Sequence, residues 1–286
     1  MFPWSSRVVA GEQRSEEWYQ QRDQLITASE AATALGLSSF ESREEFIQRK
    51  RKCERSNAVN EDMHRGTVLE PFARDELQTI FNYVLDEGLV RHPTIPCIGA
   101  SPDAIAWRFK SQGMPKMRDA VFRPYHVDMT SSDRSLITHQ LVSSSGTNAA
   151  STPCIVEIKC PRKFKKYTES EWTVHVGNQM YVPITYWVQM QVQMACLDVT
   201  LAYFMNCNFS YNRELMCEYD PSMIEFMKSV VDYPVGVLTD VPYGPDMTAV
   251  TWGFKEYMIY PVHRDDEWLD SNLPKIVETY DEIRDV

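Results

Sequence analysis

Apolar residues along the chain recur with either a helical or a strand period, and the two kinds of segment alternate. Helical spacing behind capping residues predicts helices over 15–22, 27–36, 42–55, 61–84, 181–197, 221–231 and 265–286, with Pro71 kinking or restarting the fourth and Pro274 interrupting the last. Apolar runs bounded by turn residues predict a hairpin over 94–107 and strands over 154–160, 199–207 and 215–219. Because helices and strands interleave, we expect an α/β protein with a layered sheet covered by helices.

One long segment, residues 111–153, has no sustained apolar period and is rich in serine and threonine. Such a composition predicts an exposed, partly disordered insertion between two strands of the core. The length of 286 residues suits one large domain or two small ones. We expect a single domain over residues 1–286, with the insertion at 111–153.

The predicted helix over 181–197 is apolar nearly all round, so it should be buried. Gln189 and Gln193 nevertheless share one of its faces, four residues apart, beside Tyr186. Buried amides need hydrogen-bond partners, so these two are expected to face a polar cavity or else to be satisfied by backbone groups. Gln191 lies about 200° from Gln189 around the helix axis and cannot share that face fully.

The composition is that of a soluble globular protein, with 43% hydrophobic and 24% charged residues. No apolar stretch approaches the roughly 18 residues that cross a bilayer, and the first residues do not resemble a signal peptide. The seven cysteines form no Cys-x-x-Cys pair, which indicates free thiols rather than disulfides, a zinc site or an iron–sulfur cluster. We therefore expect an intracellular protein from a reducing compartment, without membrane contact.

The most informative chemical signal is Glu157-Ile158-Lys159, on the predicted strand over 154–160. Side chains alternate along a strand, so Glu157 and Lys159 share one face while Ile158 points into the core. Asp103 follows another apolar stretch upstream. An aspartate followed by Glu-x-Lys is typical of metal-dependent phosphodiesterases, although Glu-x-Lys alone is also a common surface charge pair.

A metal site can be assembled from these residues. Asp103 and Glu157, joined by the backbone carbonyl of Ile158, offer hard oxygen ligands that suit Mg²⁺, with Mn²⁺ as a substitute. Lys159 would orient or deprotonate the attacking water and offset the charge that builds on the phosphate. Glu70, on the predicted helix over 61–84, is a further candidate for a water-mediated contact or a second ion; taken alone, it is an exposed helical acid.

Two residues near the start of the predicted helix over 27–36 suggest a phosphate site. Ser29 lies at the helix N-terminus, where free amides and the helix dipole favour an anion. Arg22 could close on the same phosphate with its forked guanidinium. Taken alone, Ser29 is a helix cap and Arg22 a surface cation.

A net charge of −11 disfavours binding to the negatively charged backbone of a nucleic acid. Binding nevertheless depends on local patches of positive charge more than on the net charge of the whole chain. Residues 49–55 carry five cations in seven positions, and residues 162–166 carry four in five. The first run is expected to be a solvated helix face. The second follows the Glu-x-Lys strand directly, where a phosphate backbone would have to pass.

Taken together, these segments resemble the phage lambda exonuclease family of viral-type recombination nucleases, within the PD-(D/E)XK superfamily. Six motifs agree in order and approximate spacing from about residue 16 to residue 206, apart from the 111–153 insertion. The motifs are Trp18-Tyr19-x-x-Arg22, Ile26-Thr27-Ala28-Ser29-Glu30, Gly66-x-x-x-Glu70, Ala100-Ser101-Pro102-Asp103, Glu157-Ile158-Lys159-Cys160-Pro161 and Tyr186-x-x-Gln189-x-Gln191.

The resemblance implies a restriction-endonuclease-like mixed β-sheet core flanked by helices. It also implies Mg²⁺-dependent hydrolysis of linear duplex DNA from 5′ to 3′, which leaves 3′ single-stranded tails for recombination or repair. Metal-ligand roles are implied for Asp103 and Glu157, and catalytic roles for Glu70 and Lys159. Contacts with DNA or its terminal phosphate are implied for Arg22, Ser29, Ser101, Gln189 and Gln191.

Family members act on double-stranded DNA ends, can load a single-strand-annealing protein, and in some cases assemble as ring-shaped trimers. A homo-oligomer and a single-strand-annealing partner are therefore expected by analogy with the family. The insertion and the acidic C-terminal segment depart from the compact family pattern, so the resemblance alone does not establish either one.

Two alternatives stay open. A different PD-(D/E)XK nuclease, either an endonuclease or a RecB-like enzyme, would share the core, although no Gln-x-x-x-Tyr motif is evident after the Glu-x-Lys strand. A catalytically silent DNA-end-binding module would share the fold, but it has no need for clustered acids near phosphates.

Overall fold

The computed structural model describes residues 2–9, 15–53, 61–109, 152–177, 180–212, 235–239 and 249–285. Nearly all of the expected insertion at 111–153 lies outside these residues, as do the expected strand over 215–219 and helix over 221–231. Within the described ranges, no helix combines the length and the apolar character that a membrane crossing requires.

The helices begin where the sequence supplies capping groups. The Ser15 hydroxyl accepts a hydrogen bond from the Trp18 N–H at 3.2 Å, and Ser42 forms a reciprocal capping box with Glu45. The helices of the described residues are α1 (Glu16–Asp23), α2 (Ala28–Ala34), α3 (Arg43–Arg51), α4 (Glu61–Ile80), α5 (Ile184–Leu197) and α6 (Asp266–Arg284).

The strands form three sheets among the described residues. They are β1 (Ile26–Thr27), β2 (Phe81–Leu85), β3 (Val90–Arg91), β4 (Ile98–Ala100), β5 (Ala104–Phe109), β6 (Cys154–Lys159), β7 (Thr173–Gly177), β8 (Met180–Pro183), β9 (Leu201–Asn212), β10 (Val235–Thr239) and β11 (Ala249–His263). The small sheets have the orders β1-β4-β3 and β7-β8.

The largest sheet has the order β10-β11-β9-β6-β5-β2, so β6 lies in its interior. β6 runs parallel to β9 and antiparallel to β5, which makes the sheet mixed. This arrangement confirms the predicted α/β fold class, with a mixed sheet flanked by helices.

α4 and α5 cover opposite faces of this sheet. On one face Ile155 and Phe204 belong to the same buried cluster as Val188 of α5. On the other face Val156 packs in a separate cluster with Leu69 of α4. Each of these buried apolar side chains contributes roughly 1.5–3 kcal/mol relative to an exposed one. Because side chains alternate along β6, its odd-numbered residues face α5.

The helix predicted over 61–84 is too long by four residues. α4 passes through Pro71 without ending, stops at Ile80, and is followed by strand β2. Phe81 and Tyr83 pair with β5, and the Tyr83 ring stacks on Trp107 with 5.0 Å between centroids. Aromatic residues at alternate positions suit a strand whose partner lies far away in sequence, and that pairing overrides the local helical pattern.

The hairpin predicted over 94–107 is wrong, because its two strands lie in different sheets. β4 pairs with β1 and β3, whereas β5 pairs with β2 and β6. Pro102 lies in the crossing between β4 and β5, and it has no N–H to continue a ladder.

Two helix boundaries also differ from expectation. The helix predicted from residue 181 begins at Ile184, because residues 180–183 form β8 against β7. α6 continues through Pro274, where an interruption was expected.

Candidate active site

Glu157 lies at the centre of the site and is fully buried on β6. Its Oε1 accepts a hydrogen bond from the Gln189 side-chain amide at 2.7 Å and one from the Lys159 ammonium. Its Oε2 accepts a hydrogen bond from the Gln193 side-chain amide at 2.7 Å. Two successive turns of α5 therefore hold the carboxylate from above, as the four-residue spacing of the two glutamines predicts.

Asp103 reaches the same place from the next strand. β5 pairs with β6 so that Ala104 is opposite Val156, which puts Asp103 beside Glu157. The Asp103 Oδ2 accepts the backbone N–H of Ile158 at 2.7 Å and lies 4.0 Å from the Lys159 ammonium. Two carboxylates and one ammonium thus share a small region between the sheet and α5.

The electrostatics of the site follow from this crowding. Burial, and then the negative charge of Asp103, raise the pKa of Glu157 to about 7, although Lys159 and Gln193 act to lower it. Burial alone would lower the pKa of Lys159, but the charges of Glu157 and Asp103 raise it overall. Lys159 therefore stays protonated beside these two carboxylates. A protonated lysine is suited to bind a phosphate oxygen rather than to remove a proton.

The residues fit a hard divalent cation. Two carboxylates against one ammonium leave a surplus negative charge, which a cation would offset. In the described part of the chain, no three His, Cys, Asp or Glu side chains come together as a ligand group. Asp103, Glu157 and the Ile158 carbonyl are the groups here that could hold such a cation, with water or phosphate oxygens completing its shell, as is common for Mg²⁺.

Glu70 lies outside this pair of carboxylates. It is on α4, and the preceding residue, Leu69, packs on the face of the sheet opposite to Glu157. Its carboxylate accepts a hydrogen bond from Arg74 at 2.5 Å, and Arg74 also bonds Asp86 at 2.5 Å. The structure places Glu70 in an ion-pair network on the α4 side.

A second polar cluster surrounds Arg22 at the end of α1. Its guanidinium lies 4.5 Å from the centre of the Trp18 ring and donates to the hydroxyls of Ser29 at 3.1 Å and Thr27 at 3.3 Å. The helix cap of α2 is Thr27 rather than Ser29, since Thr27 bonds the Glu30 carboxylate through both its N–H and its hydroxyl. Ser29 is exposed, and is therefore accessible to a ligand.

Thr27 was missed as a site residue, although the spacing Thr-x-x-Glu of a capping box could have revealed it. Gln193 was seen as a buried amide but not assigned to the site. Its position one turn beyond Gln189 was the available signal.

Ser101 and Gln191 have contrasting surroundings. The Ser101 hydroxyl is buried and has no hydrogen-bond partner among the described residues, so it is available to a bound molecule. Gln191 donates to the carbonyl of His263 at 2.9 Å and accepts the N–H of Asp265 at 2.8 Å. Its amide is thus satisfied by backbone groups and ties α5 to the junction of β11 and α6, away from Glu157.

The two basic runs also differ. Arg49 pairs with Glu41 at 2.7 Å and Lys50 with Glu30 at 3.0 Å, and Arg51 donates to the Glu282 carbonyl at 2.5 Å. The described cations of the first run are therefore engaged within the protein. The second run, residues 162–166, directly follows β6 and is partly exposed.

Comparison of the sequence with protein families identifies the family of this chain. Residues 17–200 match the model of the YqaJ-like viral recombinase domain. The chain belongs to this family, which confirms the predicted relation to the phage lambda exonuclease family. A comparison with curated proteins finds no match.

Several solved structures are similar at low identity. An alkaline exonuclease from Laribacter hongkongensis is 21% identical, with 94% of this chain and 93% of that chain covered and a TM-score of 0.49. A phage-related exonuclease from Haemophilus somnus is 12% identical, with coverages of 91% and 93% and a TM-score of 0.42. The shutoff and exonuclease protein from Kaposi's sarcoma-associated herpesvirus is 13% identical, with coverages of 92% and 67% and a TM-score of 0.37. Similarity at this level has no weight in assigning an activity.

Proposed function

We propose that this protein is a divalent-metal-dependent DNA exonuclease. It hydrolyses phosphodiester bonds of linear double-stranded DNA from the 5′ end and leaves 3′ single-stranded tails. The observation that carries the proposal is the fully buried Glu157 with Asp103 and Lys159 beside it. Membership of a viral recombinase family supports it, because strand annealing needs single strands and an exonuclease produces them from a duplex end.

Mg²⁺, or Mn²⁺ in its place, is the proposed cofactor. When bound, such an ion makes a coordinated water easier to deprotonate and neutralises charge on the phosphate. Asp103, Glu157 and the Ile158 carbonyl are the groups that would hold it. Glu70, which pairs with Arg74 on the α4 side of the sheet, is given no contact with this ion in the proposal.

The chain's own residues orient and balance charge. Gln189 and Gln193 each hold one oxygen of Glu157, so the carboxylate cannot rotate freely. Lys159 is a protonated donor beside the carboxylates, and in this proposal it binds a non-bridging oxygen of the scissile phosphate. A cation fixed at this position stabilises the negative charge that develops on the phosphate oxygens in the transition state.

The Arg22 cluster is the proposed site for the terminal 5′-phosphate. Arg22 already lies within hydrogen-bond distance of Ser29 and Thr27, which leaves the other edge of its guanidinium for an anion. Ser101, next to Pro102 and Asp103, is the proposed donor to the reacting strand because its buried hydroxyl lacks a described partner. The DNA contact once expected of Gln191 forms no part of this proposal.

A time course on end-labelled DNA tests the proposal. Linear duplex with 5′-phosphate ends should release mononucleotides in Mg²⁺ or Mn²⁺, and none when the ions are chelated. Glu157→Gln should lower the rate at least about a thousandfold, because it removes a ligand charge while keeping the shape of the side chain. Glu282→Gln, the same change in a surface pair with Arg43, is the matched control and should leave the rate unchanged.

Closed circular DNA separates the alternatives. The proposed exonuclease leaves a circle without ends intact, whereas an endonuclease would linearise it. A binding module would retard linear DNA in a gel without degrading it in any divalent ion, and that result would contradict the proposal.

A further inference from the structure

Asn206 lies beside Lys159 on the neighbouring strand of the sheet. In the parallel pairing of β6 with β9, Lys159 is the partner of Asn206, just as Glu157 is the partner of Phe204. Paired residues project from the same face of a sheet. Asn206 is fully buried, so a polar side chain is held on the face that carries the proposed active site.

Among the described residues, a hydrogen-bond partner is found for the donor end of the Asn206 amide and not for its acceptor end. Its Nδ2 donates to the backbone carbonyl of Lys165 at 3.2 Å, and because a carbonyl only accepts, this contact fixes which end of the amide is nitrogen. The Oδ1 is buried and has no hydrogen-bond partner among the described residues. Buried acceptors without donors are costly and uncommon, so an acceptor kept at this position indicates a use in another state of the site.

Cation binding supplies that state. In the structure the Lys159 ammonium donates to the Glu157 carboxylate. A divalent cation held by the same carboxylate repels an ammonium at hydrogen-bond distance, so Lys159 needs another acceptor once the cation is bound. The Oδ1 of Asn206 belongs to the residue directly across from Lys159 on the same face.

We propose that Asn206 is a positioning residue, which accepts a hydrogen bond from the displaced Lys159 ammonium and holds that ammonium ready for the DNA phosphate. This inference rests on the proposed function. It predicts that Asn206 influences metal binding and turnover through Lys159, and not through the Lys165 carbonyl that its Nδ2 also contacts.

A double-mutant cycle on metal affinity tests this without DNA. Mn²⁺ is titrated calorimetrically into wild type, Asn206→Leu, Lys159→Met and the double variant. Leucine is close to asparagine in size but has no acceptor, so Asn206→Leu should weaken Mn²⁺ binding about tenfold. In the Lys159→Met background the same substitution should have no further effect, because there is no ammonium to accommodate.

Asn208→Leu is the matched control. It is the same substitution on the same strand, at a residue that bonds Glu256 at 2.9 Å and lies beyond the last β6–β9 pair. Mn²⁺ affinity should be unchanged in this variant. Asn206→Asp, which keeps an acceptor but loses the donor to Lys165, should bind Mn²⁺ at least as tightly as wild type. If Asn206→Leu does not fold, Asn206→Ser replaces it in the cycle, since its hydroxyl is too short to replace the amide oxygen.

Turnover gives a second readout. Asn206→Leu should lower kcat about tenfold with little change in the KM for linear DNA, since Lys159 is misplaced but the DNA-end contacts are kept. The inference would be overturned if Asn206→Leu weakened Mn²⁺ binding equally in wild type and in Lys159→Met, or in neither. Cleavage of linear DNA by wild type would in that case leave the proposed function standing. Wild type that neither binds Mn²⁺ nor degrades DNA ends would overturn both.

Discussion

Glu157 and Glu30 are both acids that lie largely out of solvent beside a lysine, yet their pKa values move in opposite directions. Burial and the charge of Asp103 raise the pKa of Glu157 to about 7. Burial acts to raise the pKa of Glu30 as well, but the charges of Lys50 and Arg22 outweigh it and lower the pKa overall. Neighbouring charges therefore shift the pKa of the same kind of side chain in opposite directions.

The difference lies in the balance of formal charge. Glu157 and Asp103 share one ammonium, so that region has a negative charge to spare and suits a cation. Glu30 faces Lys50 and Arg22, so that region has a positive charge to spare and suits an anion. A metal ion and a terminal phosphate are the two charged groups that an exonuclease has to hold, and the two regions are complementary to them.

Among the tests of this comparison between the two regions, Lys159→Met at the carboxylate region should have the largest effect. Removing the cation that binds the phosphate should lower turnover about 10²–10³-fold. Mn²⁺ should bind no more weakly than to wild type, because the region becomes more negative. Calorimetry and single-turnover rates on the same preparation measure both quantities. Lys275→Met on the exposed face of α6 is the control, and weaker Mn²⁺ binding in Lys159→Met would break the comparison.

A smaller effect is expected from Arg22→Gln at the other region. Loss of the guanidinium should reduce the preference for 5′-phosphorylated over 5′-hydroxyl ends about tenfold, because a charged hydrogen bond to the phosphate is lost. Competition between the two ends in one reaction measures this ratio directly. Arg43→Gln, in a surface pair with Glu282, should keep the wild-type ratio. An unchanged preference in Arg22→Gln would contradict the assignment of the terminal 5′-phosphate to this region.

The smallest effect concerns stability and pH. The pKa of Glu30 is lowered in the folded protein, so its ionised form stabilises the fold above the unfolded pKa of about 4.5, and this stabilisation is lost as the pH falls through the folded value. The free energy of unfolding lost in Glu30→Gln should therefore be larger at pH 7 than at pH 3. Denaturant titrations at both pH values measure it. An equal loss of stability at the two pH values would contradict this prediction.

The site strand could be predicted because its signal is local. Alternation along residues 154–159 places Glu157 and Lys159 on one face and Val156 and Ile158 on the other, and the structure has this arrangement. The four-residue spacing of Gln189 and Gln193 likewise predicts that both amides lie on one face of their helix. Short-range periodicity was sufficient for both.

What could not be predicted depends on contacts distant in sequence. Nothing in residues 94–107 reveals that β4 and β5 join different sheets, since each is chosen by partners elsewhere. The residues before Phe81 have a helical pattern, but Phe81 itself pairs with Phe109, which lies far downstream in the sequence. Gln191 has the same side chain as Gln189, but its fate is decided by the backbone of residues 263–265, which no motif connects to α5.

The antiparallel pairing of β5 with β6 has a consequence for how this chain can change over evolutionary time. Ala106 lies opposite Cys154, so the two ends of the stretch that connects these strands are neighbours in space. Lengthening or shortening that stretch need not move Asp103 or Glu157, which meet at the base of the ladder. New sequence can therefore be gained or lost between these two strands while the chemistry at the other end of their ladder is inherited intact.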